Sequence, residues 1–290
     1  MPIPLIDRGA AEALRDPALV FHAGRCHLFC TTVRPAGHAF SLGIDLLVSD
    51  DLRQWSTRTI FAPGPDNWSS PGSIVRAGDA WVMCLQSYPI DPGATWGNES
   101  ARLWLATSSD LVTWSAPRPI SPAGCRVAWT ASARQIDPYL IAHAGRWWCL
   151  YKAAGQLGLL VSDDLITWSE ASPQRPILGT ADTPDGSTVE NPCVIATDDG
   201  FVLFFSPCRP GRGIGVARST DLLSWHDAHY IDFPDVPWAP GGPTAAMVVD
   251  RRREDGDWLM AFHGDRPTAA NEHGAAIAFA RSRDLEHWTV

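Results

Sequence analysis

Three carboxylates in this sequence stand where acid–base chemistry could be done. Asp16 and Asp137 each precede a proline, and Glu190 lies one residue ahead of a third such step, Asn191-Pro192. Two carboxyl groups that share a pocket but ionise differently can act as general base and general acid. Since these residues are far apart in the chain, the chemistry requires a scaffold that gathers distant segments at one opening.

Five further acids are set aside by repetition. The heptad Ser-x-Asp-Leu-x-x-Trp ends at Trp55, Trp114, Trp168, Trp225 and Trp288, at intervals of 54 to 63 residues. Recurrence at a near-constant period marks Asp51, Asp110, Asp164, Asp221 and Asp284 as parts of a structural unit. Serine and aspartate just after a strand make the side-chain to backbone bonds of tight turns. Leu and Trp then return to the core and cover the neighbouring unit.

Before each heptad runs a second recurring feature: an Xaa-Pro step, an apolar strand, a turn with Gly or Asp, and an aromatic-rich strand, as in DPALVFHAGRCHLFCTT (16 to 32) and DPYLIAHAGRWWCLYKA (137 to 153). With the strand before the heptad and the segment after it, each period makes a four-stranded antiparallel sheet. Short strands and turn signals at this period predict an all-β, five-bladed β-propeller, one domain spanning residues 1–290. Only Thr289 and Val290 follow the last heptad. The segment PIPLID, residues 2 to 7, is therefore expected to supply the outer strand of the last blade and close the ring.

Proline is tolerated at the first residue of a strand, so the Xaa-Pro steps mark where the innermost strands begin, around the channel mouth. The residues there are Asp16, Ser70, Asp137, Asn191 and Gly242. The repeat does not require acids at this place, yet three converge on it.

Composition limits the partners. The net charge of −9 disfavours nucleic acid and anionic membrane surfaces, and no apolar run approaches the ~20 residues of a membrane span. The N-terminus has no basic stretch followed by an apolar one, the pattern of a secretory leader. Seven cysteines, an odd number without Cys-x-x-Cys spacing, point to a reduced, cytoplasmic protein without structural zinc.

RDPALVFHAGRCHLFCTT, QIDPYLIAHAGRWWCLYKA and VENPCVIATDDGFVLFFS, together with the five heptads, resemble glycoside hydrolase family 43 and its relatives in the five-bladed propeller clan. The resemblance implies an inverting glycosidase, commonly of arabinofuranosides or xylosides, with an oligosaccharide or glycoside as its partner; the alternatives are a fructoside hydrolase or transferase on the same scaffold and a propeller that binds carbohydrate without cleaving it. Asp16 would be the general base, Glu190 the general acid, and Asp137 the residue that orients the acid and raises its pKa. In two places the chain departs from the pattern. Asn191 follows Glu190 where the family often has Gly or Ala, so that Glu-Asn-Pro approaches the Glu-Cys-Pro of fructosidase relatives. The Gly-His step that many members carry in blade 5, often linked to a central calcium, is missing, so no cofactor or metal is expected.

Ser70 and Asn191, beside the acids, are candidates to bind sugar hydroxyls. His263 matches a histidine that many members carry in the second strand of blade 5. Trp68 is placed to stack on a sugar ring and Arg266 to bond hydroxyls, while Trp96 and Trp238 could form outer subsites.

Overall fold

The five heptads are turns of one geometry. In each, the aspartate accepts the backbone N–H groups of the second and third residues after it. Asp51 receives Arg53 and Gln54 at 2.8 and 2.9 Å, and Asp164 receives Ile166 and Thr167 at 2.8 and 2.7 Å; Asp110, Asp221 and Asp284 do the same. The serine hydroxyl meanwhile accepts the aspartate's own N–H at 3.1–3.2 Å. These bonds hold the following leucine at φ between 59° and 68°, a left-handed conformation that a leucine rarely adopts unaided.

The heptad tryptophans cover the preceding sheet. Trp114 meets Phe29 edge-on at 5.6 Å, Trp288 meets Phe204 at 6.0 Å, and Trp55 stacks on Phe279 at 6.0 Å. That last contact joins the first sheet to the fifth. Full burial of such a ring is worth about 1.5–3 kcal/mol; Trp288 is buried and Trp55 and Trp114 partly so, so the motif that shapes the turns also binds the ring together.

The computed structural model describes residues 5–36, 39–209, 211–269 and 271–290. Its strands form five four-stranded antiparallel sheets, each in simple sequence order. The first holds β1 (Ala13–His22), β2 (Arg25–Ala36), β3 (Ala39–Ser49) and β4 (Ser56–Phe61), and the second β5 (Ser69–Ala77), β6 (Ala80–Gln86), β7 (Leu103–Ser108) and β8 (Arg118–Pro119). The third holds β9 (Ile136–His143), β10 (Arg146–Ala153), β11 (Gln156–Ser162) and β12 (Ser169–Glu170), and the fourth β13 (Val189–Thr197), β14 (Gly200–Pro207), β15 (Gly215–Ser219) and β16 (His226–Tyr230). The fifth holds β17 (Gly242–Arg251), β18 (Asp257–Asp265), β19 (Ala275–Ser282) and β20 (Trp288–Thr289). The innermost strands β1, β5, β9, β13 and β17 touch one another in turn around a central axis. This is a five-bladed propeller. The innermost strands approach so closely that a Cβ on Gly72 would overlap the Pro138 carbonyl, which leaves glycine as the residue that fits there.

Both ends of the chain take part in ring closure. The outer strand of the last blade is the chain's own C-terminus, β20, because the heptad turn returns Trp288 alongside β19 just as it does in the other blades. The N-terminal segment adds one antiparallel bridge further along the same edge. Ile6 and Ile277 exchange two hydrogen bonds of 2.8 and 3.0 Å, while residues 2 to 4 lie outside the described residues. Arg8 then reaches blade 1, bonding the buried Asp45 at 2.7 Å and Glu12 at 2.9 Å. The N-terminus thus pairs along the edge of blade 5, as expected, and clasps it to blade 1, while β20 supplies the four-stranded sheet's own outer strand.

Candidate active site

Near its start each innermost strand breaks register with its neighbour. The interruptions fall between Arg15 and Ala18, Ser69 and Ser73, Glu190 and Cys193, and Thr244 and Met247, and β9 skips Asp137 and Pro138. At each a non-glycine residue takes a left-handed conformation: Asp16, Ser70, Asp137, Asn191 and Ala245, with φ from 43° to 52°. Such bulges re-aim side chains, and these five converge on the axis. In blade 5 the equivalent residue is Ala245, three positions beyond the Gly242-Pro243 step; the bulge there forms without a proline, so the Xaa-Pro reading of Gly242 is corrected.

A ring of hydrogen bonds ties the bulges together. The bulge N–H of one blade is accepted by a second-strand side chain of the blade before it. Ser70 donates to Thr31 (2.8 Å), Asp137 to Gln86 (2.6 Å), Ala245 to Ser206 (2.8 Å) and Asp16 to His263 Nδ1 (3.1 Å). Blade 3 breaks the rule. Lys152 stands there, an ammonium with no acceptor atom, and it bonds Glu190 Oε2 at 2.5 Å instead.

Glu190 is consequently held between cations. Lys152 takes one carboxylate oxygen and Arg212 the other. Burial would raise its pKa, but the Lys152 and Arg212 charges outweigh that and hold Glu190 down at about 2. Arg212 continues to the carboxylate of Asp265 at 2.5 Å, which also meets Arg15 at 3.0 Å. Asp137 behaves oppositely. It is only 9% exposed, and burial pushes its carboxyl up to about 7, the Glu190 and Asp16 charges adding to the effect and Lys152 opposing it. Of the two, the raised carboxyl is that of Asp137 and the lowered one that of Glu190.

Asp16 Oδ2 accepts the hydroxyls of Thr31 at 2.9 Å and Ser70 at 3.2 Å, which fix the carboxylate from two sides. Asp16, Asp137 and Glu190 all line one cavity of about 540 Å³ over the channel, together with Ser70, Asn191, His263 and Trp96. His263 is fully buried, and its Nδ1 is committed to the Asp16 N–H. Its place is thus structural as well as lining. Trp68 is not in the cavity; it wedges between blades 1 and 2, edge-on to Trp104 at 5.1 Å and tilted against Phe61 at 6.4 Å. Arg266 is drawn away to Asp7 in the N-terminal clasp, and Trp238 stacks on Phe262 at 6.1 Å.

Sequence reading missed the cations of the wall: Arg15, Arg134, Lys152, Arg209 and Arg212. Lys152 had a signal, as the one residue without an acceptor atom in the column Thr31, Gln86, Lys152, Ser206, His263. Among the described residues no group of three or more His, Cys, Asp or Glu is arranged to hold a metal ion. A smaller pocket on the channel is lined by Asp16, Ser70, Asp137 and Asn191, which carry oxygens, and by Pro17, Pro71, Pro138, Pro192, Cys193 and Met247.

No protein-family model matches this sequence, and no curated protein matches it significantly. Solved structures do. A thermostable family-43 glycoside hydrolase superposes with TM-score 0.66 at 15% identity, over 98% of this chain and 95% of the other. An exo-1,5-alpha-L-arabinanase from a bovine ruminal metagenomic library gives 0.66 at 18%, over 97% and 98%. A Bombyx mori GH32 beta-fructofuranosidase gives 0.68 at 16%; this chain, 97% covered, spans 62% of that one's length. The shared fold is the five-bladed propeller. At these identities the likeness carries architecture, and the chemistry rests on the cavity.

Proposed function

We propose that this chain is a glycoside hydrolase working at the mouth of its channel. The carrying observation is that Asp16, Asp137 and Glu190, from three blades, line one cavity, where burial raises the Asp137 pKa and Lys152 and Arg212 lower that of Glu190. Hydrolysis with inversion requires a base to activate water and an acid to protonate the leaving oxygen. Asp16, steadied by Thr31 and Ser70, is assigned the base. Asp137 is assigned the acid near neutral pH, and Glu190 the anion that sustains Asp137's high pKa and meets sugar hydroxyls. That shared architecture with a family-43 hydrolase and an arabinanase supports furanosides and xylosides as first substrates to try.

The test is a screen of aryl and oligosaccharide glycosides of arabinofuranose, xylose, galactose and fructose. Proton NMR of the first-formed sugar then reads the stereochemistry. Inverted product supports Asp16 as base; retained configuration rejects it. A second reading, a propeller that binds glycans without cleaving them, is favoured by the double ion pair on Glu190, which ties up both of its oxygens. Binding without turnover across the screen would select it.

A further inference from the structure

The cavity wall carries more fixed cations than the acids need. Four of the five have carboxylate partners: Arg15 with Asp265, Lys152 with Glu190, Arg209 with Asp185, and Arg212 with both Glu190 and Asp265. Arg134 is different. Among the described residues its guanidinium has no carboxylate; Nη2 donates to the Tyr88 hydroxyl at 2.7 Å, the group lies 4.9 Å over the Tyr88 ring, and the buried Nε has no partner.

Its position is nevertheless fixed. The loop that carries it is held by Glu99, which accepts the N–H groups of Ala133 at 2.8 Å and Arg134 at 3.3 Å, and by Arg102, which donates to the Ala133 carbonyl at 3.1 Å. Three residues later the chain reaches Asp137. A guanidinium is a planar fork suited to a carboxylate or phosphate. Here it lines the cavity with Nη2 on Tyr88 and Nη1 without a partner among the described residues, and its charge reaches Asp137.

We propose that Arg134 is an anion-recognition residue, and that the ligand of this cavity is a sugar bearing a carboxylate or phosphate group. The sugar part rests on the glycosidase reading above; the anionic part rests on Arg134 alone. The chain's net charge of −9 makes this local site stand out, since the rest of the protein repels such a ligand.

Calorimetric titration of the full chain with matched pairs tests it: D-galacturonate against D-galactose, D-glucuronate against D-glucose, and D-fructose 6-phosphate against D-fructose. The charged member of at least one pair should bind on the order of 10–100-fold tighter, the weight of a charge-assisted contact. Which pair responds separates carboxylate from phosphate. Arg134→Gln should bring the ratio close to unity. Arg134→Lys, which keeps the charge but loses the fork, should retain part of it and serves if the glutamine variant does not fold. Equal binding within every pair, or a preference that survives in Arg134→Gln, overturns the proposal. A parallel hydrolysis assay on neutral and uronic-acid or phosphorylated aryl glycosides keeps the two readings apart. Turnover without any charge preference removes the anion site alone, whereas charge preference without any turnover removes the hydrolase reading alone.

Discussion

Lys152 Nζ lies 2.5 Å from Glu190 Oε2, in the register position where the other four blades place a hydrogen-bond acceptor. The substitution of a cation for an acceptor sets the ionisation of Glu190. Removing the ammonium, as in Lys152→Met, should raise the Glu190 pKa from about 2, readable by carboxyl NMR titration. It should also destabilise the fold at neutral pH by about 1–3 kcal/mol, because a buried carboxylate loses one of two partners. Adding Glu190→Gln should recover part of the loss. An unmoved Glu190 titration would show that Arg212 alone holds it.

Asp137 makes a pH signature of opposite sign to most carboxylates. Its folded pKa near 7 lies above the unfolded value of 3.8, so the folded state binds the proton more tightly. The contribution is full below about pH 3.8 and is lost as pH rises through 7. Chemical denaturation of wild type and Asp137→Asn from pH 4 to 8 should show the variant gaining on wild type as pH rises. A constant difference across the range would refute the raised pKa.

The turn acids behave the other way. The backbone N–H groups of Thr167 and Ile166 are the main cause that holds Asp164 below its usual range. Their contribution is present above about pH 3.8 and fades as pH falls through the lowered pKa. Asp164→Ala should lower the melting temperature at pH 7 and leave hydrolysis within about twofold of wild type, the size of effect seen for surface positions outside a site. A large loss of turnover with unchanged melting would return Asp164 to the list of catalytic candidates.

Ring closure rests on few groups. Arg8→Ala removes the 2.7 Å partner of Asp45, which is 1% exposed and among the described residues keeps Thr59 at 2.8 Å and Arg34 at 3.6 Å. A cost of about 1–3 kcal/mol is expected in urea unfolding. Removal of residues 1–8, which also deletes the Ile6 bridge, should cost more. Equal stability of the truncated and full chains would deny the clasp its role.

The repeating parts of this molecule were legible because the heptad's turn is local: serine and aspartate find their hydrogen-bond partners within seven residues. The carboxylates were legible as exceptions to the repeat. What escaped is set by partners distant in sequence. Trp68 looks like a rim aromatic until Trp104 is seen beside it. Arg266 looks free until Asp7 arrives from the N-terminus. The blade 5 bulge at Ala245 carries no proline, so the sequence marks Gly242 in its stead. Arg134 and Arg212 sit in loops without a motif, and only the cavity reveals what they face.

The central claim is that Asp16 activates water while Asp137 supplies the proton, and the most direct measurement is turnover of the best glycoside in the screen by wild type, Asp16→Asn and Asp137→Asn. Asparagine tolerates the left-handed backbone of both sites, so folding should be kept, as melting curves will check. The account predicts a fall of roughly 10²–10⁴-fold in kcat for each variant, with the wild-type rate declining as pH rises through about 7 and Asp137 loses its proton. An Asp16→Asn enzyme with wild-type turnover, or a folded wild type that cleaves no glycoside at all, would contradict it.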